Sequence, residues 1–400
     1  MSLAKATHHQ TKLHNRDLIL RTIFDHEPIS RAEIARRTRL TRTTVSTQVA
    51  ALLAEGLVEE VGFGASSGGK APILLQAAKD SRYLIGLNLG RDRFSGAVLN
   101  LAGKIKTVLE TPVNGQQGPE AQQLVSEMLN NLLRREWQPV VGIGIATPGL
   151  VNTREGRIIQ AVNLGWRDFP LARNLAEKYG LPVTLLNDSQ AAAIGEFRYG
   201  GWQAANLLVV TIRHGIGAGL LVQGSLFQGD DNAAGEIGHV VVDPQGAQCR
   251  CGRRGCLETV ASTPAILKRA QALAERFPNS LALKSSPNLT PEALGAAFEV
   301  GDPLAVETLG FAGEHLGRVL AHLTAMLNVR TIILTGDAPR FGQAWLDYVQ
   351  SAARKAMLAS VAQHVHLHAG RLPFNQACML GASAYMLLEN YHPLYLQPAL

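Results

Sequence analysis

Three cysteines fall within eight residues, Cys249, Cys251 and Cys256, and His239 lies ten residues upstream of the first. Thiolates with one imidazole are a structural zinc set: Cys3His closes the shell at four ligands and leaves no open position for chemistry. Gly252 and Gly255, between the cysteines, let the backbone wrap tightly enough to aim three sulfurs at one point. The chain has only four cysteines, and such clustering in a cytosolic-looking sequence points to metal before disulfide. The fourth, Cys378, sits in an apolar helical run and reads as core. His364, His366 and His368 share one face of a strand and form a second candidate metal group. With no carboxylate nearby, a half-buried or solvent-facing strand is the plainer account of them.

A different chemistry is concentrated near the N-terminus. Between Pro28 and Ala54 stand Arg31, Arg36, Arg37, Arg39 and Arg42 against the single acid Glu33, a net +4 in a chain whose formal charge is +6. A local basic patch of this kind is the electrostatic footprint of a nucleic-acid binder. Arg42, Thr43, Thr44, Ser46, Thr47 and Gln48 lie near the start of one helical segment, off its apolar stripe. These groups reach phosphates and base edges when a helix N-terminus enters the major groove. Lys70, at the end of a Gly/Ser-rich loop, is placed to touch DNA backbone or minor groove.

The elements needed to hold these groups can be read from periodicity and caps. Leu18, Ile19, Ile23 and Phe24 give residues 15–25 a helical pattern. Ser30 precedes Glu33 by three, a capping box opening a short helix through Arg37. Thr41 opens a third helix with Val45, Val49, Leu52 and Leu53 on one face, and Gly56 ends it. Strands at 57–61 and 72–76, joined by 62–69, complete the order of a winged helix-turn-helix. A helical bundle serving protein contacts is the other reading of the same pattern.

From Tyr83 the texture becomes α/β. Strand-like runs occur at 83–89, 94–99, 140–145, 183–186, 206–212, 218–222, 331–334 and 364–368, with helical stretches at 120–135, 171–179, 189–199, 303–327 and 376–388. A hairpin followed by crossover helices occurs twice, which predicts two similar lobes with a cleft between them. Length agrees, because 400 residues exceed one ordinary core. A composition of 46% hydrophobic and 18% charged residues is globular rather than disordered. No apolar run approaches the roughly 20 residues of a membrane span, and the polar N-terminus lacks a signal-peptide pattern, so a cytoplasmic location is expected.

Four motifs, in order, resemble signatures of the ROK family of repressors, open reading frames and kinases: Ala146-Thr147-Pro148-Gly149, Leu186-Asn187-Asp188-Ser189-Gln190-Ala191, Gly235-Glu236-Ile237-Gly238-His239, and the cysteine run continuing Gly255-Cys256-Leu257-Glu258. With a winged helix in front, the chain is similar to the Mlc/NagC/XylR-type repressor branch. The resemblance implies that Asp188 matches the base that activates a sugar hydroxyl in the kinases, and that Asn187, Glu236, His239 and Glu258 match positions that hold the sugar. Carboxylates accept from vicinal hydroxyls and an amide both donates and accepts, so the set makes chemical sense. Without the other motifs, Asn187 and Asp188 read equally as a helix N-cap after a strand. The family's kinases carry Asp-x-Gly-Gly-Thr and Gly-Thr-Gly-x-Gly phosphate hairpins; here the runs are Asn88-Leu89-Gly90-Arg91-Asp92 and Arg213-His214-Gly215-Ile216-Gly217. Bulky side chains where backbone N–H groups must approach phosphates predict a sensor rather than an enzyme. Arg91 and Arg213 would either recognise a sugar phosphate or merely fill an abandoned nucleotide pocket.

The expected organisation is a winged helix-turn-helix over residues 1–81 and a two-lobed, actin-like, sugar-kinase-like domain over 82–400 that binds effector and oligomerises. Its lobes would be roughly 82–190 with the C-terminal helix, and 191–375. The expected function is a repressor, dimeric or tetrameric, that binds palindromic operator DNA and answers to a sugar or sugar phosphate, with structural zinc as cofactor. An ATP-dependent sugar kinase with an auxiliary DNA-binding domain is the alternative, and control by a sugar-transporter component is a third. Apolar residues at 391–396 offer a further interface.

Overall fold

The computed structural model describes residues 8–65, 71–134, 136–286 and 288–389. Its first unit runs α1 (His8–His26), β1 (Ile29–Ser30), α2 (Arg31–Thr38), α3 (Arg42–Ala54), β2 (Val58–Phe63) and β3 (Ile73–Ala77), with β3 antiparallel between β1 and β2. The caps are those the residues dictate. Ser30 Oγ accepts the Glu33 N–H at 3.2 Å and Thr41 Oγ1 the Thr44 N–H at 3.1 Å. Glu33, however, turns its carboxylate to Arg36 and Arg37 rather than back to the cap. Arg39 in the left-handed region (φ 58°) makes the sharp turn between α2 and α3. Ile19, Ile23, Ile34, Val45, Val49 and Leu52 close a small core. α1 starts well before residue 15 because its first turns are polar and give no apolar periodicity to read.

The first lobe opens with an antiparallel meander, β4 (Tyr83–Leu89), β5 (Arg93–Asn100) and β6 (Ile105–Pro112). α4 (Gly118–Leu133) crosses to β7 (Val140–Thr147), parallel to β4. A separate small sheet follows, β8 (Leu150–Asn152), β9 (Arg157–Ala161) and β10 (Trp166–Phe169), which the sequence pattern leaves unmarked. α5 (Leu171–Tyr179) then leads to β11 (Val183–Asn187), parallel to β7. β4 and β7 are buried along their whole length, as their near-continuous apolar runs require.

α6 (Asp188–Tyr199) carries the chain to the second sheet: β12 (Leu207–Ile212), β13 (Ile216–Val222) and β14 (Ser225–Phe227). A long loop and a helical layer follow: α7 (Glu258–Ala261), α8 (Thr263–Leu273), α9 (Leu281–Ser285), α10 (Pro291–Glu299) and α11 (Pro303–Leu327). β15 (Thr331–Gly336), α12 (Gln343–Lys355), α13 (Ala359–Ala362), β16 (His366–Ala369) and α14 (Phe374–Glu389) complete the chain's described elements. The sheets are ordered β11-β7-β4-β5-β6 and β16-β15-β12-β13-β14. Each is a meander extended on one side by two parallel strands, so both lobes share one topology.

One expectation needs correction. β16 begins at His366, so His364 is outside the strand; Leu367 is buried between exposed His366 and His368, and the three histidines form no ligand cluster among the described residues. Lys70 and residues 391–396 lie outside the described residues. No described helix is long and apolar enough to cross a membrane.

Candidate functional site

The lobes face each other across a cleft of about 690 Å³. Its floor is the junction of β11 and α6, where a parallel strand ends and a helix begins, the place such sheets offer for ligands. Asn187 is the N-cap: its Oδ1 accepts the N–H groups of Ser189 (2.9 Å) and Gln190 (3.3 Å), and its Nδ2 donates to Gly149 O at 2.9 Å. The capping role of Asn187 is therefore realised, and one N–H of its amide remains to face the cleft. Asp188 follows, holding Oδ1 against the Ser189 N–H at 2.8 Å. Burial at the floor pushes its carboxyl up to about 6, against the pull of Arg213 and the Ser189 N–H.

Glu236, His239 and Glu258 reach the same cleft from the second lobe. Loss of hydration raises the Glu236 carboxyl; His239 opposes this, while Asp188 and Glu258 add to it. The cleft also has members the sequence reading missed. Arg250, between two of the cysteines, comes within 3.5 Å of Glu258 Oε1 through its Nη2. Thr211 is buried with its hydroxyl unpartnered, and it lines the cleft two residues before Arg213. Strand alternation from Arg213 would have pointed to Thr211; nothing in the sequence aims Arg250 inward.

Beside the cleft, His239, Cys249, Cys251 and Cys256 bring four ligand atoms within 4.8 Å of one another. Cys249 Sγ lies 3.6 Å from His239 Nδ1, and Cys251 Sγ 3.6 Å from Cys256 Sγ. A tetrahedral zinc with sulfur ligands near 2.3 Å spaces its donors by roughly 3.8 Å, so both the donor set and the spacing fit that ion. Burial first, then the neighbouring thiols, pushes Cys256 up to about 12, so a cation is what would hold it as thiolate. The loop's path requires Gly255: its φ is +67°, and a Cβ there would stand 1.4 Å from Asp243 O. His239 turns its other nitrogen, Nε2, to Glu236 Oε2 at 3.9 Å. One imidazole thus joins the cysteine cluster to the cleft.

The two hairpin turns meet at the cleft mouth. Arg213 lies over the face of Phe374, 4.6 Å from the ring centroid, and His214 Nε2 is 3.2 Å from Asp92 Oδ2 of the other lobe. Arg91 lines the first-lobe side, half exposed.

On the first unit, α3 exposes Arg42, Thr43, Ser46 and Thr47, while Thr44 is half-buried with its hydroxyl 2.9 Å from that of Thr41. Gln48 turns inward and is buried, its position falling on the helix's core side between Val45 and Leu52; the expectation that it reaches DNA is corrected. The basic patch is also partly neutralised, since Arg31 pairs with Glu60 and Arg36 and Arg37 with Glu33. Arg39 and Arg42 have no ion pair among the described residues.

Comparison with known proteins agrees with this architecture. The ROK family model matches residues 84–389, and the MarR family model residues 18–64. The xylose repressor of Bacillus spizizenii is 32% identical, over 94% of this chain and 95% of that protein. A glucokinase of Halalkalibacterium halodurans is 33% identical over 75% of this chain and 93% of its own. The crystal structure of a ROK family transcriptional regulator, a homologue of the Escherichia coli Mlc protein, superposes with a TM-score of 0.82 at 26% identity, covering 95% of this chain and all of that one. The repressor and the regulator thus match nearly the whole chain, the glucokinase three quarters of it. The chain belongs to the ROK family.

Proposed function

We propose that the protein is a transcriptional repressor that binds operator DNA through its winged helix and is controlled by a sugar or sugar phosphate held between the lobes. The observation that carries this reading is the convergence of Asn187, Asp188, Glu236, His239 and Glu258 on one cleft, in a chain whose N-terminal unit exposes Arg42, Thr43, Ser46 and Thr47 on a helix face. Acceptors and donors so placed bind vicinal hydroxyls; Thr44 would add a contact and Lys70 the wing's. Zinc on His239, Cys249, Cys251 and Cys256 would serve a structural role, fixing the ring that His239 presents to the sugar. Two-fold symmetry suits a palindromic operator, so a homodimer or tetramer is the form proposed, in the cytoplasm.

A gel-shift experiment with the protein's own promoter region and a panel of sugars and sugar phosphates tests this. Release of specific DNA by one sugar supports the reading and names the effector. Specific binding that no sugar alters moves control to a protein partner such as a transporter component. The second reading, an ATP-dependent sugar kinase, is favoured by Asp188 held near 6 and by the glucokinase relative. Against it stand Arg213 and the Asp92–His214 contact at the hairpins where phosphates would lie. A coupled ATP assay with common hexoses separates the two: no turnover is expected, and turnover at ordinary kinase rates of about 1–100 per second overturns the proposal.

A further inference from the structure

The seam between the lobes runs from the cleft to the DNA-binding unit. α6 packs on β12 and β13 of the second lobe, and α14 on β4 and β7 of the first. The two helices meet backbone on backbone: a Cβ on Gly195 would stand 2.1 Å from Ala377 O, and one on Gly381 1.8 Å from Ala191 O. An interface this close has no flexible side chains to absorb a shift. At the cleft end, α6 begins with Asp188, whose carbonyl accepts from Cys378 Sγ of α14 at 3.4 Å, and α14 begins with Phe374, beneath Arg213.

At the far end both helices meet α1. Met386 and Leu387 of α14 are buried in one cluster with Ile19, Leu20 and Ile23 of α1. Arg198, in the last turn of α6, donates to Asp25 Oδ1 at 3.2 Å; Asp25 Oδ2 faces Arg21 of its own helix at 3.8 Å. α1 is therefore held to one lobe's helix by apolar packing and to the other's by an ion pair. Apolar packing is non-directional and travels with α14, whereas an ion pair across the seam is sensitive to displacement. Closure of two rigid lobes, pivoting about this contact, would displace the end of α6 that carries Arg198 relative to the end of α14.

We propose that the Asp25–Arg198 pair is the contact through which the DNA-binding unit reads closure of the lobes. The pair forms in only one of two lobe arrangements, so ligand in the cleft changes how α1, and with it α3, is held. This rests on the reading of the chain as a ligand-controlled DNA-binding protein, and the test separates the two.

Operator affinity of the full chain is measured by fluorescence anisotropy with and without D-xylose, D-glucose and D-glucose 6-phosphate, and binding of each probe by calorimetry. Arg198→Gln is expected to shrink the probe-induced change in operator affinity by about two- to five-fold, the range of a partly exposed pair, while leaving calorimetric binding of the probe unchanged. Asp25→Asn should do the same, the double variant no more than either single one, and Arg198→Lys should retain most of the response. If the parent responds and Arg198→Gln responds equally, the pair is not the reader and the broader reading stands. Additive losses in the double variant, or loss of probe binding itself, also overturn the proposal. If none of the probes alters the parent's operator affinity, ligand control by these sugars and the proposal built on it both fall.

Discussion

Replacing Asp188 with Asn should make the protein more stable and deaf to its effector at once. The carboxyl is held at about 6 rather than the ordinary 3.8, with burial as the main cause. A folded-state value raised above the unfolded one means that ionisation opposes folding. The penalty is absent below 3.8, grows as pH rises through the window between 3.8 and about 6, and is complete above it. Its full size is roughly 3 kcal/mol, falling to about half of that near pH 5. Asn keeps the shape and an oxygen to accept the Ser189 N–H, which lies 2.8 Å from Asp188 Oδ1, but carries no charge. Urea unfolding followed by tryptophan fluorescence should therefore place the variant above the parent by about 2–3 kcal/mol near pH 8, with the gap halved near pH 5. Operator binding should persist, and effector-induced release should be lost because a proposed charged hydroxyl acceptor has gone. A variant less stable than the parent near pH 8, or a gap that does not change with pH, would refute the buried-carboxylate argument. An unchanged effector affinity would refute the ligand role.

The other expectations concern the remaining parts of the molecule. Cys256→Ser should lose metal on gel filtration and melt at lower temperature; a variant that keeps zinc and its melting point would remove the metal's structural role. Arg42→Ala should weaken operator binding and lower its salt slope by about 1, whereas Ser46→Ala should weaken it with the slope unchanged, both read from affinity against salt concentration. If Arg213 serves an anionic group, calorimetry should show a sugar 6-phosphate binding more tightly than the sugar, with Arg213→Gln removing only that difference. Equal or weaker binding of the phosphate by the parent sinks that idea.

Legibility in the sequence followed the range over which each signal acts. Caps are local, so Ser30, Thr41 and Asn187 could be placed by spacing alone, and each is found accepting the N–H its position predicts. The metal cluster was legible because three of its ligands share one tight loop, leaving only His239 to be brought in. Gln48 was misread because helix polarity is a statement about faces, and its position is on the core side between Val45 and Leu52. The local charge count sets five arginines against Glu33 alone, yet Arg31 is matched by Glu60 on the wing strand, outside the counted stretch. Arg250 is a harder case. It reaches Glu258 from the loop between Cys249 and Cys251, so its direction is a property of that loop's path rather than of any periodicity.

On the proposed reading, the hairpins suit a kinase-like scaffold to sensing. A phosphate cradle needs bare backbone N–H groups at both turns and room for a polyanion between them. Here one turn presents Asp92, whose carboxylate would stand beside any polyphosphate and repel it, and the other presents His214 to that same carboxylate at 3.2 Å. On the proposed reading, the place an enzyme would leave open for nucleotide is taken by this contact between the lobes. If Asp188 and Asn187 on the floor hold a sugar as proposed, binding energy that a kinase would direct to a transition state would be available to set the lobe angle instead. A few kcal/mol of such differential binding are enough for control, since a coupling of about 1–3 kcal/mol changes operator affinity some 5- to 150-fold. Nothing in that requirement depends on phosphoryl transfer, so the proposed control needs the cleft floor and the His239–cysteine loop but no phosphate cradle.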